Sequence, residues 1–266
     1  AQAASPARRS CALGRGPMDP SLAGVLDAVP AGCRVAVLSM RGSCCPVTLA
    51  HVQAFVEARA LLLGSGPAPR PRRLESFAEV LGVLSLNGDS HVCSKLKAKG
   101  EPFIRLRDRA HLIRLATVDL PWLTYGPSHS REHMNALQAQ WPRLRFVHYS
   151  LNGADDVVKY QKWLGSGPKS RFVTMGRPGF TEKVLAGMRK ARINPDDGFC
   201  LVGPELPDIS STAVRTALRE LDIDALNGLL HPAVSNWCLS ESPYSLQTSA
   251  AGRTEESHDT AIGTEA

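Results

Sequence analysis

Between residues 42 and 51 the chain reads Gly42-Ser43-Cys44-Cys45-Pro46-Val47-Thr48-Leu49-Ala50-His51. These residue types, in this order, suit a phosphate. The stretch follows an apolar run, Val35-Ala36-Val37-Leu38, and leads into a helical pattern from His51 to Ala58. A small-residue turn between strand and helix lets backbone N–H groups approach an anion closely. The helix N-terminus adds unsatisfied donors and a positive dipole end. Thr48 and His51 stand where their side chains reach the same anion. A second stretch, Asp208-Ile209-Ser210-Ser211-Thr212-Ala213-Val214-Arg215, has matching character. Ser210 or Ser211 can cap a helix whose first N–H groups face phosphate oxygens, and Arg215, one turn on, is a fixed fork of donors. Together the two stretches point to phosphoryl-type transfer, which needs positioning and charge stabilisation rather than a protein nucleophile. No Ser-His-Asp constellation competes with that reading.

The elements that must position these residues follow from the apolar pattern. Strands are expected at Val35–Leu38, Glu79–Leu86, Arg145–Leu151, Arg171–Met175 and Phe199–Val202. Helices are expected at Ser21–Val29, after His51, at about Arg105–Val118, at Ser130–Gln140, after Gly153-Ala154-Asp155-Asp156, and up to Lys190. Arg105, Arg107, Arg109 and Arg114 fall on the polar faces of the third of these. Asn87 to Gly100, with Lys95, Lys97 and Lys99, reads as a polar loop. Alternating strands and helices imply an α/β fold, a mostly parallel sheet with helices on both faces. Ligands of such sheets bind beyond the carboxyl ends of the strands. The turn at Gly42, the segment Gly153-Ala154-Asp155 and Arg177 all follow strand ends. Residues 1–30 form an N-terminal extension and 31–240 one domain. The chain from residue 241 to 266 is polar and reads as a disordered tail.

The chain has 266 residues, 43% apolar and 21% charged, with a formal charge of +6. That supports a sizeable core and fits an enzyme for polyanionic small molecules. The basic residues are spread out without interleaved aromatics, against a nucleic-acid partner. No run approaches the roughly 20 apolar residues of a membrane span. The seven cysteines, 11, 33, 44, 45, 93, 200 and 238, show no C-x-x-C spacing, so neither a disulfide framework nor a zinc ribbon is expected and a reducing compartment is the default. Residues 1–20 contain no acid before Asp19. They fit a transit peptide, an upstream segment before Met18 or a disordered tail, so the cytoplasm, the nucleus and import into an organelle stay open.

These motifs resemble those of the nicotinamide or nicotinate mononucleotide adenylyltransferases, within the HxGH-type nucleotidyltransferase superfamily. The resemblance covers roughly Arg34 to Ser240, in family order. Gly42, Ser43, Pro46, Thr48 and His51 match the family's G-S-F-x-P-x-T-x-x-H. Cys44 stands where Phe is usual and Cys45 where Asn or Asp is usual. Gly153-Ala154-Asp155 matches the G-A-D segment, and Ile209-Ser210-Ser211-Thr212 through Arg215 the I-S-S-T-x-x-R signature. Arg177-Pro178-Gly179 and the closing run Leu230-His231-Pro232-Ala233-Val234 are also similar.

The resemblance implies a Rossmann-like nucleotidyltransferase fold and transfer of AMP from ATP to the mononucleotide, with magnesium bridging phosphates and no named protein ligand for it. It implies that His51, Thr48 and Arg215 carry the chemistry, and that Gly42, Ser43, Cys44, Gly153, Asp155, Ser210, Ser211 and Thr212 bind ATP. It places Lys97, Trp122 and Arg177 at the mononucleotide. Its small-molecule partners are ATP and the mononucleotide, without nucleic acid or membrane, and a homo-oligomer is compatible with it. Blander readings stand beside these: a polar helix face for His129 and His133, core packing for Trp122 and Trp163, solvated charge for the lysines. The alternatives are a pantetheine-phosphate adenylyltransferase-like enzyme and a non-catalytic, chaperone-like nucleotide binder.

Overall fold

The computed structural model describes residues 20–66, 70–126 and 130–244. Its centre is a six-stranded sheet in the order β3-β2-β1-β4-β5-β6, every neighbouring pair parallel. The strands are β1 (Arg34–Gly42), β2 (Glu79–Leu86), β3 (Leu123–Tyr125), β4 (Arg145–Gly153), β5 (Phe172–Gly176) and β6 (Cys200–Glu205). This is the doubly wound, Rossmann-like order. The chain leaves β1 to one side for β2 and later returns to its other side as β4, so a crevice opens between β1 and β4 at their carboxyl ends.

The helices are α1 (Pro20–Asp27), α2 (Leu49–Leu63), α3 (Asp89–Lys97), α4 (Leu106–Ala116), α5 (Ser130–Gln140), α6 (Ala154–Tyr160), α7 (Thr181–Lys190), α8 (Ser211–Glu220), α9 (Ile223–Leu229) and α10 (Pro232–Ser240). Alternation along β1 divides the core. Ala36 and Leu38 pack with Phe55, Ala58 and Leu62 of α2, whereas Val35 and Val37 pack with Leu22 and Leu26 of α1 and with Leu137 and Trp141. Gly82 lets the first layer close. A Cβ there would lie 2.8 Å from the Phe55 ring and 2.5 Å from Leu123.

Several expectations move. Asn87–Gly100 is mostly the helix α3, with Val92 and Leu96 buried four residues apart and Asp89 in its first turn. Two apolar residues among lysines are too few to betray a helix by period. The three-residue strand β3 escaped for the same reason, its brevity. At the amino end, α1 is part of the core through Leu22 and Leu26, and Arg143 ties its end down through Leu26 and Asp27 carbonyls. At the other end packed structure runs beyond 240: Tyr244 is 2% exposed and donates to the Pro102 carbonyl at 2.8 Å. Among the described residues no helix is long and apolar enough to cross a membrane.

Candidate active site

β1 ends in Gly42, and Cys44 (φ 40°) then enters the left-handed region, which non-glycine residues rarely adopt. The Cys45–Pro46 peptide is cis. What fixes the turn is a set of donors aimed at its carbonyls. Arg109 of α4 donates to the Ser43 carbonyl at 2.8 Å, and Arg215 of α8 to the Cys45 carbonyl at 3.0 Å. The Ser211 hydroxyl donates to the Pro46 carbonyl at 2.8 Å. In a trans peptide the C=O and N–H point oppositely. Fixing the Ser43 and Pro46 carbonyls inward therefore turns the Cys44 and Val47 N–H groups the other way, beside the first N–H groups of α2. Free N–H groups gathered in this way are what an anion requires.

His51 sits at the third position of α2. Its Nδ1 accepts from the Thr48 backbone N–H at 3.1 Å and lies 2.7 Å from the Thr48 hydroxyl. The first of these bonds, with the Thr48 side chain accepting from the His51 backbone N–H, makes a capping box with histidine in the usual Glu or Gln place. Because Nδ1 accepts, the neutral ring carries its proton on Nε2, where it can donate. Burial pushes the His51 pKa down to about 4, so the ring is an uncharged donor at neutral pH. The capping role and the donor role use different nitrogens of the same ring.

Two buried arginines brace this turn, and the sequence reading found only one. Arg109, expected on a polar helix face, is 0% exposed. It also binds the Ile104 carbonyl at 2.9 Å and Asp89 at 2.8 Å, and Asp89 in turn accepts from the Leu106 N–H. The signal was available: Arg109 shares the helical stripe of Leu112, Ile113 and Ala116, all buried. Arg215 is 4% exposed. Its Nε meets Glu101 at 2.5 Å and one Nη meets Thr212 at 3.1 Å. Glu101 also accepts from Arg219 at 3.1 Å. Burial alone would raise the Glu101 pKa, but the hydrogen bonds from Arg219 and Arg215 outweigh it and hold the carboxyl below its usual range. Arg215, expected as an open fork for phosphates, is thus drawn in as a brace between α8, the turn and Glu101. Ser210 caps α8, accepting from the Ala213 N–H at 3.2 Å.

The two cysteines are packed, not reactive. Cys44 and Cys45 are each 2% exposed. Burial pushes the Cys44 thiol up to about 12 and raises that of Cys45, and the Cys45 sulfur accepts from the Ile104 N–H.

On the β4–β6 side, Gly153 caps α6 with its backbone alone. Asp155 accepts from Arg177 at 3.2 Å, and Arg177 also meets Asp208 at 2.6 Å. Arg177 thus bridges Asp155, expected at ATP, and Asp208. The carboxylate of Asp208 first, and that of Asp155 with it, holds its guanidinium charged against the opposing effect of burial. Trp122 stands away from the turn. Strand register puts it level with Leu81, five residues before Leu86, which pairs Gly42, or roughly 16 Å along the sheet. There Arg59 stacks on it at 5.0 Å. Trp163 is core, 7% exposed, against Gly187. Lys97 is exposed in the last turn of α3. His129 lies outside the described residues. Among those described, no three His, Cys, Asp or Glu side chains gather as metal ligands.

Beside the turn, on the other face of the sheet, a cavity of about 350 Å³ opens at the carboxyl ends of β1, β2 and β4. It shares Gly153 with the start of α6, and Ser39 to Arg41 with the end of β1.

No known protein family matches the sequence, and no curated protein matches it. Among solved structures the chain is similar to nicotinic acid mononucleotide adenylyltransferase of Plasmodium falciparum complexed with NaAD. The TM-score is 0.48 at 13% identity, over 79% of this chain and 97% of that one. The same enzyme complexed with APC gives 0.45 at 13% identity, over 80% and 98%. Likenesses of this size carry no functional argument, so the functional reading rests on the chain's own residues.

Proposed function

We propose that the protein transfers an adenylyl group from ATP to the 5′-phosphate of nicotinamide or nicotinate mononucleotide. The phosphate oxygen attacks the α-phosphorus of ATP, the bond to the β-phosphate oxygen breaks, and pyrophosphate leaves. The observation that carries this reading is the turn. Its Ser43, Cys45 and Pro46 carbonyls are held inward, its amides are left for an anion, and a neutral His51 donor stands beside them. Such a site acts by fixed donors that need no reorganisation as charge develops.

In this reading Thr48 sets the His51 tautomer, and Gly42, Ser43 and Cys44 line the phosphate turn. Ser211 and Thr212 begin α8 beside it. Gly153 and Asp155 face the nucleoside half. Magnesium enters with ATP, as part of that substrate. The nearby carboxylates Glu101, Asp155 and Asp208 are each engaged by arginine, and this donor set fits no resident ion.

One observation favours a second reading, a nucleotide binder without chemistry. The Arg215 fork is committed to Glu101 and the Cys45 carbonyl, so it must be released before it can reach a phosphate. The test is pyrophosphate release from ATP and magnesium with nicotinamide mononucleotide, nicotinate mononucleotide or phosphopantetheine as acceptor. Release with a mononucleotide is expected. Release with phosphopantetheine alone would move the protein to the pantetheine-type reaction. Silence with all three, from protein that binds ATP, would leave the second reading standing.

A further inference from the structure

On the α5 side of the sheet the strands turn from apolar to polar near their carboxyl ends. On β1, Val35 and Val37 give way to Ser39 and Arg41, and β2 and β4 follow with Ser85 and Ser150. Register sets Arg41 beside Ser85 and Ser39 beside Ser150. These polar ends line the cavity of about 350 Å³, which is of ligand size. Arg41 immediately precedes Gly42, so it stands where the cavity meets the phosphate turn.

The charges around this cavity do not cancel. Its charged lining residues are Arg41, Lys162 and Asp156. Lys162 meets Asp156 at 2.5 Å and Asn152 at 2.6 Å, so those two charges compensate each other. Arg41 is left over. It is exposed, and among the described residues nothing pairs with its guanidinium. The other guanidiniums at the turn and the crevice are committed. Arg109 is held by Asp89 and the Ser43 carbonyl, Arg215 by Glu101 and the Cys45 carbonyl, and Arg177 by Asp155 and Asp208. A ligand that matches has a polar body inside the cavity and an anionic group at its rim, toward the turn.

We propose that Arg41 is a substrate-binding residue whose guanidinium holds the phosphate of the acceptor at this rim, beside the turn that takes ATP. The inference rests on the adenylyltransfer reading for the presence of an acceptor phosphate. That transfer brings two anions into contact, and their repulsion has to be offset by a cation beside them. An unpaired guanidinium has its whole fork of donors free and can engage two phosphate oxygens at once. The phosphate is common to nicotinamide mononucleotide, nicotinate mononucleotide and phosphopantetheine. Arg41 therefore does not choose among these acceptors. It tells each of them from its dephosphorylated form.

The experiment is calorimetric titration of the whole protein, without turnover. The three acceptors, their dephosphorylated counterparts (nicotinamide riboside, nicotinate riboside and pantetheine) and ATP are titrated separately. At least one acceptor is expected to bind about tenfold or more tightly than its counterpart. Arg41→Gln should erase that difference, weakening the phosphorylated form by about tenfold or more and leaving the counterpart and ATP within about twofold. Arg41→Lys keeps the charge without the fork and should recover part of the affinity. Arg41 is exposed and unpaired, so both variants should melt as the wild type does. Unchanged acceptor affinity in Arg41→Gln would overturn the proposal, and so would a loss that the dephosphorylated form shares. If none of the three acceptors binds, both inferences fall. Pyrophosphate release separates them otherwise. Arg41-dependent binding without release would sink the adenylyltransfer reading and leave the phosphate assignment standing. Release with an acceptor KM that ignores Arg41 would do the reverse.

Discussion

The two faces of the carboxyl end of β1 satisfy their polar groups in opposite ways. On the α2 side the turn carbonyls are taken by Arg109, Arg215 and Ser211, and each arginine has its own carboxylate, Asp89 or Glu101. On the α5 side Arg41 lines the cavity with no partner among the described residues. A completed network holds donors in one place whether or not a substrate is bound. An incomplete one is finished only by what enters it. The first arrangement suits charge that develops during a reaction, and the second suits a molecule that brings its own charge.

Breaking the completed side should have the largest effects. His51→Ala is expected to reduce pyrophosphate release by about 100-fold or more, with the fold retained at the cost of a cap, about 1 kcal/mol. Circular dichroism alongside the assay checks both parts, and a folded, fully active variant would remove His51 from the chemistry. Arg109→Met should cost about 2 kcal/mol in urea denaturation, because it leaves the Ser43 and Ile104 carbonyls without their buried donor. Arg215→Ala should raise the ATP requirement by about tenfold or more, and Glu101→Gln by less. A double-mutant cycle between them should give a coupling of about 1 kcal/mol or more. Additive effects would mean that Arg215 is not braced through Glu101.

The pH dependence sharpens the same contrast, since three histidines whose pKa is lowered by partial or full burial span both faces. Their folded pKa values lie below the ordinary 6.5, that of His51 at about 4. Between those values the unfolded chain binds more protons than the folded one. Stability should therefore be fully present above about pH 6.5 and fall as the pH drops toward 4. Melting temperatures across that range test it, and His51→Gln should flatten the slope. The smallest effect is expected from Trp122→Phe. Standing far along the sheet from the turn, it should leave ATP affinity within about twofold, and a large loss would place Trp122 at the phosphate site.

How much of this was legible follows from what each signal depends on. The parallel sheet was readable because Val35–Leu38 is a continuous apolar run and Glu79–Leu86 nearly one, as expected of strands buried on both faces. The turn and the start of α8 were readable because small residues, Thr48, His51 and Ser210 are local signals. The braces were not, because a carbonyl's partner comes from distant chain: Ser43 from Arg109, Cys45 from Arg215. Arg215 was singled out, but its bonds to the Cys45 carbonyl and Glu101 were not legible for that reason. His133 was paired with His129 on a polar helix face, whereas it is buried, because α5 packs it against the sheet.

Tyr244 has a consequence for how the site comes into being. Its hydroxyl closes on the Pro102 carbonyl, next to Glu101, which holds Arg215. During synthesis the turn at Gly42 leaves the ribosome early, and its braces arrive only with Arg109, then Arg215, then Tyr244. Chains grow from the amino end at about 5–20 residues per second, so a nascent chain carries its phosphate turn for many seconds before the parts that fix it exist. Nucleotide binding should therefore switch on late in translation, after most of the sheet has formed.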